Sequence, residues 1–130
     1  MVTFEFSKNQ FKVNTSAVFY CKDSWKNKKW ISNAILKHEQ LHFDIAELFS
    51  RKMREKVTQV AVKNYDDLKQ QTDTIYYQLE KEMDVYQNQY DDETENSMNK
   101  NMQLKWENKV KNELEKLSDF KNRTIIIHLK

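Results

Sequence analysis

Residues 36–47 read Leu36-Lys37-His38-Glu39-Gln40-Leu41-His42-Phe43-Asp44-Ile45-Ala46-Glu47. On a helix His38 and His42 lie on one face, one turn apart. The same stripe takes in Ile35, Ile45, Phe49, Met53, Val57 and Val60. Apolar spacing in threes and fours over this length predicts one long helix from about 33 to about 62, with Ser32 or Asn33 capping its start. Both histidines fall on its inward stripe. A buried imidazole pair is costly without partners. Metal ligation or carboxylate hydrogen bonds would resolve that cost. Two core histidines on an ordinary amphipathic helix are the plainer alternative.

The stretch also spells His-Glu-x-x-His. Two imidazoles so placed can share one Zn²⁺, at about 2.0–2.1 Å from each ligating nitrogen. Glu39 sits one residue round from His38, where a carboxylate reaches a water rather than the metal and can act as general base. Asp44 and Glu47 lie downstream and are candidates to orient the imidazoles, or solvent-facing charges.

The flanks set the fold class. Residues 2–6 alternate and are rich in β-formers, 7–10 read as a turn, and 11–21 read as a longer strand. Together they predict an antiparallel hairpin with one solvated face. A polar connection from Lys22 to Lys29 leads to Trp30. After a break at Lys63-Asn64, a second helix is expected over about 65–90, with Leu68, Ile75, Leu79, Met83, Tyr86 and Tyr90 as its stripe. A third is expected over about 98–118, on Met102, Trp106, Val110, Leu114 and Leu117. Asp119 to Arg123 reads as a turn, and 124–129 as a strand able to pair with the hairpin. The expected fold is α+β: a small antiparallel sheet, made of the N-terminal hairpin and the C-terminal strand, packed with three long helices. The 130 residues make one domain, 1–130, with one modest core.

Composition removes several functions. There is no Gly and no Pro, so Gly-rich phosphate loops are excluded and turns fall to Asn, Asp, Ser and Lys. Twenty-two basic and 20 acidic residues give a net charge of +2, which exerts no general pull on nucleic acid. The lysines between Trp25 and Trp30 therefore read as a solvated loop anchored by a tryptophan. The single Cys21 excludes an internal disulfide and suits a buried, inert thiol. No apolar run approaches the roughly 20 residues of a membrane span. No basic start followed by an apolar segment marks a signal peptide.

A catalytic zinc site needs a third protein ligand and one open position. Glu80, Glu82, Asp91, Asp92, Glu93, Glu95 and His128 are the candidates. Glu82 falls near the inward stripe of the second helix. Asp91 follows its last stripe residue, Tyr90, at a helix end that disfavours an uncompensated carboxylate. The acidic cluster 91–95 lacks the spacing and glycine of an EF-hand, and as a solvated loop it needs no ligand.

Ser24-Trp25 after a strand, the run from Leu36 to Leu48, and Tyr90-Asp91-Asp92-Glu93-Thr94 resemble the DUF922 family, bacterial proteins described as predicted secreted zinc-dependent proteases. The resemblance spans most of the chain and is strongest in the HEQ-x-HFDIAE segment. It implies a zincin-like active-site helix, a Zn²⁺ cofactor, a peptide or protein substrate and an exported protein. It implies His38 and His42 as zinc ligands, Asp91 as the third, and Glu39 as catalytic base. The family pattern continues Tyr-Asp-x-x-Thr-x-His, so Asn96 stands here in place of a histidine. If that histidine ligates zinc, this chain lacks a ligand. If it steadies the transition state, Asn96, together with Tyr90, takes that place. The expectation is a zinc metallopeptidase. The alternative is a non-catalytic metal-binding or scaffold domain derived from such a fold.

Overall fold

A computed structural model describes residues 2–7, 10–15 and 32–128. Ser32 opens the first helix: its Oγ accepts from the Ile35 amide at 3.2 Å. Helix α1 runs Asn33–Thr58, four residues short of the expected end. With no glycine to close it, α1 stops at Gln59 in a right-handed conformation, its amide donating to the Lys56 carbonyl at 3.1 Å. Val60 and Val62 continue the apolar spacing, which explains the longer expectation. They leave the helix yet still reach the core, and Val62 is fully buried.

Helix α2, Tyr65–Glu93, starts from Asn64, whose Oδ1 accepts from the Asp67 amide at 2.8 Å. It extends three residues past Tyr90, so Asp91 is a helical residue rather than a loop residue. Helix α3, Lys100–Lys116, starts from Asn99 in the same way, and a 3-10 turn at Ser118–Phe120 follows it.

Strands β1 (Val2–Ser7), β2 (Gln10–Thr15) and β3 (Thr124–His128) form an antiparallel sheet with β2 in the centre. Val13 pairs with Phe4 on one side and Ile125 on the other. Alternation gives each strand two faces. Val13, Ile125 and Ile127 are buried, while the facing pair Glu5 and Lys12 is exposed and of opposite charge. The α+β class follows: among the described residues there are three α-helices and a three-stranded sheet, and α1 packs on the sheet through β3. The strand expected to run on to Cys21, the 22–29 connection, Trp25 and Trp30 lie outside the described residues.

Helices α1 and α2 form an antiparallel hairpin: Phe49 packs edge-on against Tyr86, and His42 meets Gln87. Helix α3 runs beside α1 in the same direction, with Gln103 at His38 and the Leu114 carbonyl accepting from Arg51 at 2.7 Å. The sheet sits towards the other end. Phe4 contacts Tyr65 at the start of α2, and the Phe120 carbonyl, just before β3, accepts from Arg54 at 2.8 Å. Arg54 lies roughly 18 Å further along α1 than His42, at 1.5 Å per residue. No helix of the described residues is long and apolar enough to cross a membrane.

Candidate metal centre

His38 and His42 project from α1 towards Asp91 of α2 and Gln103 of α3 and are 4% and 8% exposed. Their rings lie 4.9 Å apart and nearly perpendicular. Tyr90 stacks on His38 with centroids 4.4 Å apart and meets the His42 ring edge-on. It is fully buried, and its hydroxyl is shared between the His38 carbonyl (2.9 Å) and Gln103 Oε1 (3.0 Å). Tyr90 therefore fixes the backbone that carries His38.

The next residue supplies the anion. Asp91 Oδ1 lies 2.8 Å from His38 Nε2 and 2.7 Å from His42 Nε2. His38, His42 and Asp91 thus offer two imidazole nitrogens and a carboxylate oxygen within 4.8 Å of one another. The last turn of α2 is secured by the buried Thr94, whose hydroxyl donates to the Tyr90 carbonyl at 2.6 Å. This turn keeps Asp91 helical. It also accounts for the Tyr-Asp-x-x-Thr spacing: a clamp, an anion and a cap on successive sides of one helical turn.

The other ring nitrogens are occupied as well. His38 Nδ1 lies 3.0 Å from Gln103 Oε1, and His42 Nδ1 meets Gln87 Oε1. Gln87 Nε2 donates to the His42 carbonyl at 3.2 Å, which fixes the carboxamide's orientation. For His42 this makes Nδ1 the protonated nitrogen, because the oriented Gln87 presents its amide oxygen there. The Nε2 of His42 is then either a lone pair or the second proton of an imidazolium. A lone pair pointed at a carboxylate oxygen is repulsive unless a cation lies between them.

At His42 a proton can fill that role. Burial alone would lower the His42 pKa, but hydrogen bonds to Asp91 and Gln87 and the charges of Asp91 and Glu39 raise it above 6.5. Burial likewise pushes Asp91 upward, yet its hydrogen bonds to His38 and His42 and their charges hold it well below the usual carboxylate range. The Tyr90 hydroxyl is pushed well above its ordinary value, chiefly by burial.

The donor set suits Zn²⁺, which takes imidazole and carboxylate ligands and whose histidines usually donate their second N–H to an oxygen. Tetrahedral ligands at about 2.0–2.2 Å stand roughly 3.3–3.5 Å apart. The 2.7 and 2.8 Å separations are those of direct contact. To admit the ion, Asp91 must draw back by roughly half an ångström relative to that spacing.

The remaining expected residues fall out differently. Glu39 is half-buried, and its carboxylate has no hydrogen-bond partner among the described residues, although its charge acts on His42 and Tyr90. Asn96 is exposed in a left-handed turn, and its side chain has no hydrogen-bond partner among the described residues. Its backbone amide donates to the Asp91 carbonyl at 2.9 Å. Glu80, Glu82, Asp92 and Glu95 are exposed, and Glu93 accepts from Trp106 Nε1 at 3.2 Å. The side chain of His128 lies outside the described residues. Asp44 and Glu47 do not orient the imidazoles. Asp44 accepts from Gln40 at 3.2 Å, and Glu47 accepts from Arg51 at 3.0 Å and from the buried Arg54 at 3.2 Å. Gln87 and Gln103 take the orienting role. Gln87 is legible in retrospect as the residue one turn before Asp91 on the same helix face.

No curated protein and no solved structure matches the chain. A family model described as "Bacterial protein of unknown function (DUF922)" matches residues 10–99. That span holds β2, α1, α2 and every member of the cluster except Gln103. The chain belongs to the DUF922 family of bacterial proteins.

Proposed function

We propose that this domain is a zinc-dependent peptidase. The observation that carries the reading is the meeting of two imidazoles, each with its Nδ1 at a carboxamide, with one carboxylate, beside a glutamate whose carboxylate has no hydrogen-bond partner among the described residues. His38, His42 and Asp91 would hold Zn²⁺. When bound, zinc supplies a Lewis acid that polarises a carbonyl and acidifies water. Glu39 lies one residue from a proposed ligand, half-buried and without a hydrogen-bond partner among the described residues, as suits a base that takes a proton from water and delivers it to the departing amine. Tyr90 and the two glutamines hold the imidazoles still. The Tyr90 hydroxyl is committed to His38 and Gln103, so it supports the site rather than the oxyanion.

A second reading, a metal-binding scaffold without catalysis, is favoured by Asn96. It stands where the resemblance places a histidine, and it is exposed and unpartnered. An edge strand can recruit an extended peptide, but β1, an edge of this sheet, meets Tyr65 through Phe4, at the opposite end of α2 from Asp91. Two measurements separate the readings. Metal analysis of protein purified without chelator should find one zinc per chain, lost in His42→Ala. A peptide-library digest should then show cleavage by wild type and none by Glu39→Gln. Absent zinc sinks both readings. Zinc with no cleavage, or cleavage that survives the Glu39 change, leaves only the scaffold.

A further inference from the structure

We infer that Gln87 and Gln103 are the positioning residues of this centre, and that they act unequally; the inference rests on reading the cluster as a zinc site. An imidazole offers two nitrogens, and a ligand set is defined only when one of them is reserved. Gln87 reserves the Nδ1 of His42, and Gln103 reserves that of His38. The two carboxamides come from different helices, α2 and α3, so the site is assembled by all three.

Gln87 is held at both ends. Its Oε1 accepts from His42 Nδ1, and its Nε2 donates to the carbonyl of the same residue at 3.2 Å. Turning the group over would set oxygen against the carbonyl oxygen, so its orientation is locked. It lies one helical turn before Asp91, and a single face of α2 therefore delivers both the third ligand and the group that aims the second.

Gln103 is held at one end. Its Oε1 accepts from His38 Nδ1 at 3.0 Å and from the Tyr90 hydroxyl at 3.0 Å. The residue is 7% exposed, and its Nε2 has no hydrogen-bond partner among the described residues. A buried donor without a partner contributes nothing to holding the group. Replacing that NH₂ by oxygen removes no bond and gives His38 a carboxylate to donate to, the stronger partner for a metal-bound imidazole. The same replacement at Gln87 would set a carboxylate oxygen against the His42 carbonyl.

The experiment is zinc titration against a competing chelator for wild type, Q87L, Q87E, Q103L and Q103E. Thermal melts of each metal-free variant serve as the folding control. Both leucine variants should bind roughly 10- to 100-fold more weakly. Q103E should bind at least as tightly as wild type, and Q87E should bind more weakly than wild type. Unchanged affinity in a folded Q103L or Q87L, or Q103E as weak as Q103L, would overturn the inference. Wild type that takes up no zinc removes the site itself, a different failure. Where a leucine variant does not fold, long-range ¹H–¹⁵N spectra of zinc-loaded wild type decide instead. Protonated Nδ1 on both histidines is the expected result, and a bare Nδ1 on either overturns it.

Discussion

Asp91→Asn is the substitution that separates a metal centre from a buried ion pair. It keeps the shape of the side chain and removes its charge. In metal-free protein the contact with His42 is charge-assisted, with Nε2 at 2.7 Å and Asp91's side chain 19% exposed. A hydrogen bond to a charged group contributes about 1.5–3 kcal/mol and a neutral one about 1 kcal/mol. Metal-free Asp91→Asn should therefore lose about 1–2 kcal/mol, which is roughly 4–8 °C in Tm for a domain of this size. The zinc arm carries the discrimination. At a free concentration 100 times its Kd, a ligand that binds only the folded state stabilises it by about 2.7 kcal/mol, or roughly 10 °C here. Scanning calorimetry in chelator and in buffered zinc should show that rise for wild type. Asp91→Asn, with its carboxylate ligand gone, should show little of it. An equal rise in both proteins, or none in wild type, refutes the assignment of Asp91 as a ligand. The drop in the metal-free protein alone would fit either picture and so decides nothing.

Two further expectations follow from charges within and beside the site. Because Asp91 is held below its ordinary range, its contribution is present above about pH 4 and is lost as pH falls towards the folded value. Because His42 is raised above 6.5, its contribution is complete below that pH and is lost as pH rises through the folded value. The Tm difference between metal-free wild type and Asp91→Asn should therefore peak between about pH 4 and 6.5; a difference that stays constant up to pH 8.5 would contradict the pairing. Glu47→Ala takes one charge-assisted partner from the buried Arg54 and should cost about 1.5–3 kcal/mol in urea unfolding. Its zinc affinity should stay at the wild-type value, since Glu47 touches neither imidazole; a large loss of affinity would show that the Arg54 network governs the site.

The sequence exposed the parts of this protein that repeat with a period. The stripe through His38, His42 and Ile45 gave α1 and the burial of both histidines, and the alternation around Val13 gave the sheet. Single decisions made by tertiary contacts were less visible. Tyr90 reads as the last residue of α2, because the Asp91–Asn96 cluster looks like solvated loop. The buried Thr94 hydroxyl prolongs the helix and turns Asp91 inward. Gln87 and Gln103 look like ordinary exposed helix residues, and only the packing of three helices shows what they face. Asp44 and Glu47 drew attention as carboxylates near the histidines, but side-chain direction on the helix takes Glu47 to arginines instead.

The α1–α2 hairpin is joined at one end, through residues 59–64, and open at the other. His42 and Asp91 face each other at the open end across 49 positions of chain. At that end the helices are held together by Tyr90, by Gln103 of α3 and by the contact of Asp91 with both imidazoles. A cation held there, as proposed, would add one more link between α1 and α2 at the end far from their connection. Chelation or acid would then release that link. On the proposed zinc reading, the site would come apart while the sheet end stayed folded, and would reassemble when the ion returned.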